Sequence, residues 1–354
     1  MSVYSDISDA IRARINSGEY KPGMMIDSLR KLAAQYKTSP EVIRLALDIL
    51  RKDGLIYSHH GKGNFVAENP VSCREVLVIS PLEGHLYQDV IAHFIMRFSE
   101  YPECRLLMED IKINDNQVDY AYIDRRSNEL RRLINDRLLN GKLDAVFFDG
   151  SSRVCLSFLK EYVGKVKLFC FFDISQLVEV PCPSVSIDFF HGYYIGLHHL
   201  FDIGCKNVLV IGFPKNEDVY SFHSELLDNT AVSECQEAGV TLHLCRCTED
   251  IYGYLKQHPE IDGIFAYADA CYNKLMKHFH SLNRIPGKDI ALVGFYNTPW
   301  AEMFTPTLTT VDVFPRKIVD EVIDMYFSEP PYKTFVKKLR PKLILGESSA
   351  DYKK

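Results

Sequence analysis

Hydrophobic positions along the first seventy residues fall into three helical stripes and a hairpin. Ile7, Ala10, Ile11 and Ile15 recur at three- and four-residue spacing and stop at Ser17-Gly18, which predicts a helix with Arg12 and Arg14 on its opposite face. Lys21-Pro22-Gly23 turns the chain. A second helix starts at Ser28, a good N-cap, and carries Leu29, Leu32, Ala33 and Tyr36 on one face before ending near Lys37. Ser39-Pro40-Glu41 opens a third: serine caps, proline suits the first helical position, and glutamate faces the positive end of the dipole. Its buried stripe is Ile43, Ala46, Leu47 and Leu50, so Glu41, Arg44, Leu45 and Asp48 face outward. After Asp53-Gly54, residues 55–67 hold two short β-prone runs around Gly61-Lys62-Gly63, the pattern of a hairpin.

From Val76 the pattern changes to short apolar runs alternating with helix-length segments. A first series comprises VLVIS near 76–80, CRLLM near 104–108, DAVFF at 144–148 and KLFCFF at 167–172. A second comprises PSVSI at 183–187, NVLVI at 207–211, VTLHL at 240–244, GIFAY at 263–267 and IALVG at 290–294. Such alternation builds α/β layers on parallel strands, and two series predict two similar lobes. Ligands bind beyond the carboxyl ends of such strands, so facing lobes make a cleft.

The 354 residues exceed one ordinary core and suit two or three domains. A charge count sharpens the division. Residues 1–70 carry ten Lys/Arg against eight Asp/Glu, whereas the remainder carries 31 against 39. A slightly basic head on an acidic body fits one segment that meets phosphates and another that does not. No apolar run approaches the roughly 18 residues of a membrane span, and MSVYSDISDA lacks the layout of a signal peptide, so the expected location is the cytoplasm. The ten cysteines form no CxxC pair and read as reduced thiols. His243, Cys245 and Cys247 alternate on a predicted strand, which fits either a metal-binding face or a half-buried strand; no metal or cofactor is assigned.

Two short helices joined by a tight turn, the second with an arginine on its free face, can read major-groove base edges, and a glycine-tipped hairpin can approach phosphate or the minor groove. In that order, residues 4–67 resemble the winged helix-turn-helix of the GntR family: Ile15-Asn-Ser-Gly-Glu-Tyr-Lys-Pro-Gly23 is similar to its first-helix exit, Ser28-Leu-Arg-Lys-Leu-Ala33 to its second helix, and Gly61-Lys-Gly-Asn-Phe-Val66 to its wing. The resemblance implies DNA contacts from Arg30, Arg44, Lys62 and Gly63. With the helix-start residues Ser28, Ser39 and Glu41 and the wing residue His60, these form the expected DNA-contacting set. Asp27 stands where the family usually has proline, and Pro40 where it usually has arginine.

Residues 75–350 resemble the LacI-type effector domain, a relative of periplasmic sugar-binding proteins. The resemblance rests on Pro183–Asp188 with Gly192, His199–Gly204 leading into Asn207–Gly212, and Asp262–Ala266 with Asp269. It rests most strongly on Ile290–Phe295, Thr298–Glu302, Thr305–Thr310 and the tail Pro341–Ser349. The implied organisation is a DNA-binding domain at 1–69, a linker at 70–75 and an effector domain at 76–354. Within the last, one lobe takes about 76–180 and 313–330, the other about 184–309 and 335–350, with crossings near 180–184, 309–313 and 329–335. The fold class is α/β, a winged head plus a two-lobed periplasmic-binding-protein-like domain of parallel sheets. Asp188 stands at a strand-end acid, Tyr87 at a ligand-covering aromatic and Asp269 at the second residue of an Asn-Asp pair. With Asp149, Tyr296 and Asn297 they are the expected effector contacts, although Asp188 and Asp269 read equally well as helix caps. Tyr87 also fits packing in its lobe core, and Trp300 reads as an interface or packing residue rather than a ligand contact.

There is no G-x-S-x-G elbow, HExxH or Walker loop, and the strand-end acids Asp149, Asp173, Asp188 and Asp269 serve a ligand cleft as readily as acid–base chemistry. The expected function is not enzymatic: a homodimeric, sequence-specific transcriptional regulator, by default a repressor, that binds double-stranded operator DNA and responds to a sugar or related metabolite. Two alternatives stand beside it: a regulator whose degenerate cleft serves only dimerisation, and a small-molecule-binding protein whose winged helix contacts something other than DNA.

Overall fold

The computed structural model describes residues 3–59, 62–67, 74–111, 120–152, 156–173, 180–212, 221–246, 250–328 and 336–352. The chain divides into two compact units, one comprising Met1–Val76 with Phe98–Leu107 and Leu133–Asp144, the other Leu77–Arg97, Met108–Arg132 and Ala145–Lys354.

In the first unit, α1 (Val3–Asn16), α2 (Leu29–Gln35) and α3 (Pro40–Lys52) precede a hairpin of β1 (Ile56–His59) and β2 (Gly63–Val66). The apolar stripes close on one another: Ile7, Ile11 and Ile15 meet Leu32, Ile43, Leu47 and Leu50, and the hairpin adds Leu55, Ile56 and Val66. Both serine caps form, Ser28 accepting from Lys31 N and Ser39 from Val42 N, each at 3.4 Å. The hairpin pairs Ile56 with Val66 and His59 with Gly63, and Met25 bridges Phe65 to extend the sheet.

Beyond the hairpin, the chain forms two six-stranded sheets. The first, ordered β13-β7-β6-β5-β3-β4, is built from β3 (Arg74–Ser80), β4 (Cys104–Asp110), β5 (Leu143–Asp149), β6 (Lys167–Asp173), β7 (Ser184–Ile187) and β13 (Val336–Leu339). The second, ordered β14-β12-β11-β10-β8-β9, uses β8 (Asn207–Gly212), β9 (Thr241–Arg246), β10 (Gly263–Ala266), β11 (Ala291–Phe295), β12 (Thr309–Asp312) and β14 (Lys342–Ile344). The helices are α4 (His85–Phe98), α5 (Tyr120–Leu139), α6 (Phe189–Asp202), α7 (Ser221–Ala238), α8 (Ile251–Gln257), α9 (Tyr272–Leu275), α10 (Pro299–Met303) and α11 (Pro315–Phe327). Among the described residues no helix is long and apolar enough to cross a membrane.

Sheet membership corrects one expectation. The run at 184–187 falls in the second series by chain order, and 336–339 falls in the second lobe, yet β7 pairs in parallel with β6 on one side and β13 on the other. The chain therefore leaves the first sheet only after Ile187 and again after Leu339, where Asp188 N donates to Leu339 O at 2.8 Å. The physical reason is that a strand buried on both faces carries no mark of which sheet it joins. The third expected crossing at 329–335 lies outside the described residues.

In the first layer Phe94 of α4 and Tyr326 of α11 both reach Phe147, at ring separations of 5.7 Å. Ion pairs join the two helices: Arg316 to Asp89 at 2.7 Å, Arg97 to Asp320, and Arg97 to Asp324 at 3.1 Å. In the second layer the buried Tyr193 of α6 lies against Phe295 at 4.9 Å. Its neighbour Gly192 would put a Cβ 2.8 Å from the Phe295 ring, and Gly196 would drive one into Phe265. The tail closes this layer: His199 Nε2 meets Ser349 Oγ at 2.7 Å and Ser348 Oγ donates to Leu292 O at 2.7 Å. The His199–Ser349 pair is a structural tie, because Ser349 is fully buried and shares its hydroxyl with Thr309 at 2.5 Å.

Gly196→Ala separates two effects of opposite sign. Helix propensity favours alanine by about 1 kcal/mol, whereas overpacking against a core ring costs about 1–3 kcal/mol. The expected result in urea unfolding is a net loss of stability, and a stabilised variant would show that α6 does not approach the sheet this closely.

Candidate nucleic-acid interface and ligand cleft

Most of the predicted DNA-contacting residues of the head are exposed. Arg30 lies exposed in the first turn of α2. Arg44 and Glu41 are both exposed at the start of α3 and pair with each other, Nη1 to Oε1 at 2.9 Å, so Arg44 must share or leave that partner to reach a base. Ser28 and Ser39 spend hydroxyl lone pairs on capping, which makes helix geometry their first role. At the wing, Lys62 is exposed and its N–H closes the turn on His59 O at 3.0 Å; Gly63 sits at φ 124°, a backbone conformation side chains resist. His60 lies outside the described residues.

Sequence reading missed Arg51. It donates to Ser58 Oγ at 2.9 Å and Asn64 at 3.3 Å, pairs with Asp48, and so ties both wing strands to α3. The Asp27 departure also has a structural account. Its carboxylate accepts from Lys31 Nζ at 2.7 Å and Tyr20 hydroxyl at 2.8 Å, and those bonds hold it below the usual carboxylate range. Asp27 thus fastens the start of α2 to the exit of α1.

In the second unit, three predicted residues converge. Asp149 ends β5 and is fully buried; Ser151 N donates to its Oδ1 at 2.7 Å, while Oδ2 has no hydrogen-bond partner. Burial pushes its carboxyl up to about 7, against the opposing Ser151 and Tyr87 hydrogen bonds. Tyr87 hydroxyl lies 3.1 Å from Ser151 Oγ and its ring meets Phe172 edge-on at 6.4 Å. Tyr296 follows β11 at φ 88°, and burial followed by the charges of Asp149 and Asp269 raises its phenol above the ordinary value. Asn297, at φ 48°, donates its backbone N–H to Thr310 Oγ1 at 3.2 Å and its Nδ2 to Asp312 at 3.2 Å.

The other two acids are already engaged. Asp269 accepts from Thr298 N at 2.7 Å, Thr298 Oγ1 at 2.8 Å and Thr310 Oγ1 at 2.6 Å, and burial lifts it to about 6. It supports the Tyr296–Asn297 loop from behind. Asp188 caps α6, accepting from His191 N at 3.2 Å, and pairs with Lys338 at 3.3 Å. Ser151, Phe172 and Asp312 were not in the expected set; only their place at or just beyond the carboxyl ends of strands could have flagged them. Trp300 stacks on Phe304 at 6.1 Å, as packing. An unpartnered Asp149 oxygen, the hydroxyls of Tyr87 and Ser151, the Tyr296 phenol and aromatic rings are chemically suited to hydrogen bonds with a neutral polyhydroxylated molecule.

Asp149 gives the unit a defined pH response. An unfolded aspartate titrates near about 3.9, so between about pH 4 and 7 the native state keeps a proton that the unfolded state has shed, and stability falls as pH rises. Asp149→Asn keeps the Ser151 acceptor and removes this titration. Scanning calorimetry across about pH 5 to 8 is expected to show a flatter melting temperature for the variant, and parallel profiles would refute the assignment.

Residues 3–66 match the family described as bacterial regulatory proteins, gntR family, and residues 197–349 match a periplasmic binding protein-like domain. The ribose operon repressor of Halalkalibacterium halodurans is 27% identical over 181 residues, covering 47% of this chain and 54% of that protein. The arabinose metabolism transcriptional repressor of Geobacillus stearothermophilus is 24% identical over 234 residues, 61% of this chain and 57% of that one. The chain thus spans about half the length of these curated relatives. Among solved structures, the LacI family transcriptional regulator from Arthrobacter sp. FB24 in complex with lactose is similar at a TM-score of 0.60 and 15% identity, over 78% of this chain and 99% of that one. At that identity the likeness establishes fold. Together these matches give the chain a GntR-family helix-turn-helix domain at its N-terminus, followed by a periplasmic-binding-protein-like domain.

Proposed function

We propose that the protein is a sequence-specific transcriptional repressor whose hold on operator DNA is set by a sugar or related polyhydroxylated metabolite bound beside Asp149. The observation that carries the effector half is the fully buried Asp149 carboxyl with one oxygen lacking a partner, since such a group is costly unless something completes it. The relatives named as ribose and arabinose repressors, and the lactose-bound fold neighbour, agree with that class. Tyr87, Tyr296 and Asn297 complete the proposed ligand set; Asp269 and Asp188 act as supports, in place of the contacts expected of them.

On the DNA side, Arg44 and Glu41 present the base-reading face of α3, Arg30 and the two serine caps meet phosphates, and Lys62 with Gly63 carries the wing to the backbone. Two copies pair through their effector domains, which spaces two heads on half-sites; the exposed Ile95 and Met96 of α4 offer an apolar surface for that pairing. The domain limits we propose are 1–69, 70–75 and 76–354. A sugar acts only through unequal affinity for the open and closed lobes, so repression is relieved when the closed form disfavours the DNA-bound spacing.

The test is selection of bound sequences from a random duplex pool, repeated with a panel of pentoses, hexoses and disaccharides. A single enriched motif, weakened by at least one sugar, is the expected result. No motif removes the operator claim. A motif insensitive to every sugar, with no thermal shift from any, leaves a cleft that serves pairing alone.

Two substitutions then separate reading from holding. Arg44→Ala is expected to cost about 1–3 kcal/mol on the selected operator and to relax one base position. Lys62→Ala is expected to weaken all sequences alike and to reduce the salt slope by about 1. Fluorescence anisotropy at several salt concentrations measures both, and identical behaviour of the two variants would contradict the assignment.

A further inference from the structure

Away from the cleft, at the edge of the second sheet, three side chains from separate places in the chain converge. His243 lies on β9, the outer strand beside β8, while His258 and Glu260 follow α8. One ligand atom from each falls within 4.8 Å of the others. His258 Nδ1 is 3.0 Å from Glu260 Oε1, and His243 Nε2 is 4.0 Å from the same oxygen. His243 is largely enclosed, with its side chain 11% exposed, and its Nε2 is buried without a hydrogen-bond partner. The other ring nitrogen, Nδ1, is 3.2 Å from the Tyr254 hydroxyl. Tyr254 also stacks on His258 at 4.3 Å and so fixes both rings.

We propose that His243, His258 and Glu260 form a binding site for a divalent transition-metal ion of the zinc class. Ligand bonds of about 2.0–2.1 Å at tetrahedral angles place neighbouring donor atoms about 3.3 Å apart, and the distances here bracket that value. Two imidazoles and one carboxylate suit zinc and its neighbours and exclude magnesium or calcium, which take oxygen ligands. In the loaded site His243 Nδ1–H donates to the Tyr254 oxygen, leaving the Nε2 lone pair for the ion. This is the outer-shell arrangement that orients a ligating histidine. Glu260 is nearly half exposed and free to swing, and the fourth position stays open to solvent. The ion fastens the edge strand to the segment beyond α8. The alternating set His243, Cys245 and Cys247 suggested by sequence is not the one assembled: Cys245 packs in the core beneath the sheet, and Cys247 lies outside the described residues.

The test uses the full-length, tag-free protein after chelation and dialysis, titrated with zinc by calorimetry and with cobalt by visible absorption. One ion per chain is expected, with a melting temperature that rises on adding zinc. His258→Ala and Glu260→Gln are each expected to weaken binding at least about tenfold, and His280→Ala, at an exposed position outside the cluster, to leave it unchanged. Glu260→Gln is isosteric and exposed, so an unchanged metal-free melting temperature separates lost binding from lost folding. Failure to bind either metal overturns the site. So do undiminished affinity in both cluster variants and a cobalt spectrum dominated by thiolate charge transfer, which would locate the ion on cysteines.

Discussion

Asp269 is buried, and its two oxygens accept three hydrogen bonds from Thr298 and Thr310. Those bonds hold the segment after β11 in a shape that two ordinary residues resist, since Tyr296 and Asn297 both stand at positive φ. Non-glycine residues in that region cost of order 1–3 kcal/mol each and persist only where their surroundings fix them. The same carboxylate dictates Gly294, because a Cβ there would run into Asp269 Oδ1. Asp269, wholly occupied with scaffolding, thus sets the backbone from which Tyr296 extends.

From that loop a short set of bonds leads towards a lobe crossing. Asn297 Nδ2 donates to Asp312, and Asp312 accepts from Phe314 N at 2.7 Å. Phe314 stands at φ 55° immediately before α11, whose charged face is paired to α4 through Asp89, Asp320 and Asp324. A ligand that takes a hydrogen bond from Asn297 thus competes directly with a group at the end of β12. This gives the proposed closure a physical starting point without requiring a long conduit through the core.

Local structure was legible in the sequence because its causes are local. The caps Ser28 and Ser39, the proline at the first position of α3 and the apolar stripes form as their spacing requires. The alternation of apolar runs with helices likewise announced parallel sheets. What spacing could not reveal was the pairing between distant segments. Ser184–Ile187 joined the first sheet because its partners are residues 167–173 and 336–339, which nothing in its own four residues specifies. The acids show the same divide. Asp149, Asp188 and Asp269 look alike as strand-end carboxylates, yet one keeps an oxygen without a partner, one caps a helix and one braces a loop, and only the company each keeps distinguishes them.

Arg51 joins Ser58 and Asn64 on the two wing strands to Asp48 on α3, and so removes a freedom the head would otherwise have. A wing free to swing tolerates duplexes of varied groove width. A wing tied to α3 presents both elements at one fixed separation, like the jaws of a caliper. On the proposed operator, base pairs lying between the two contacts would then be selected by the shape they impose on the groove, without a side chain touching them.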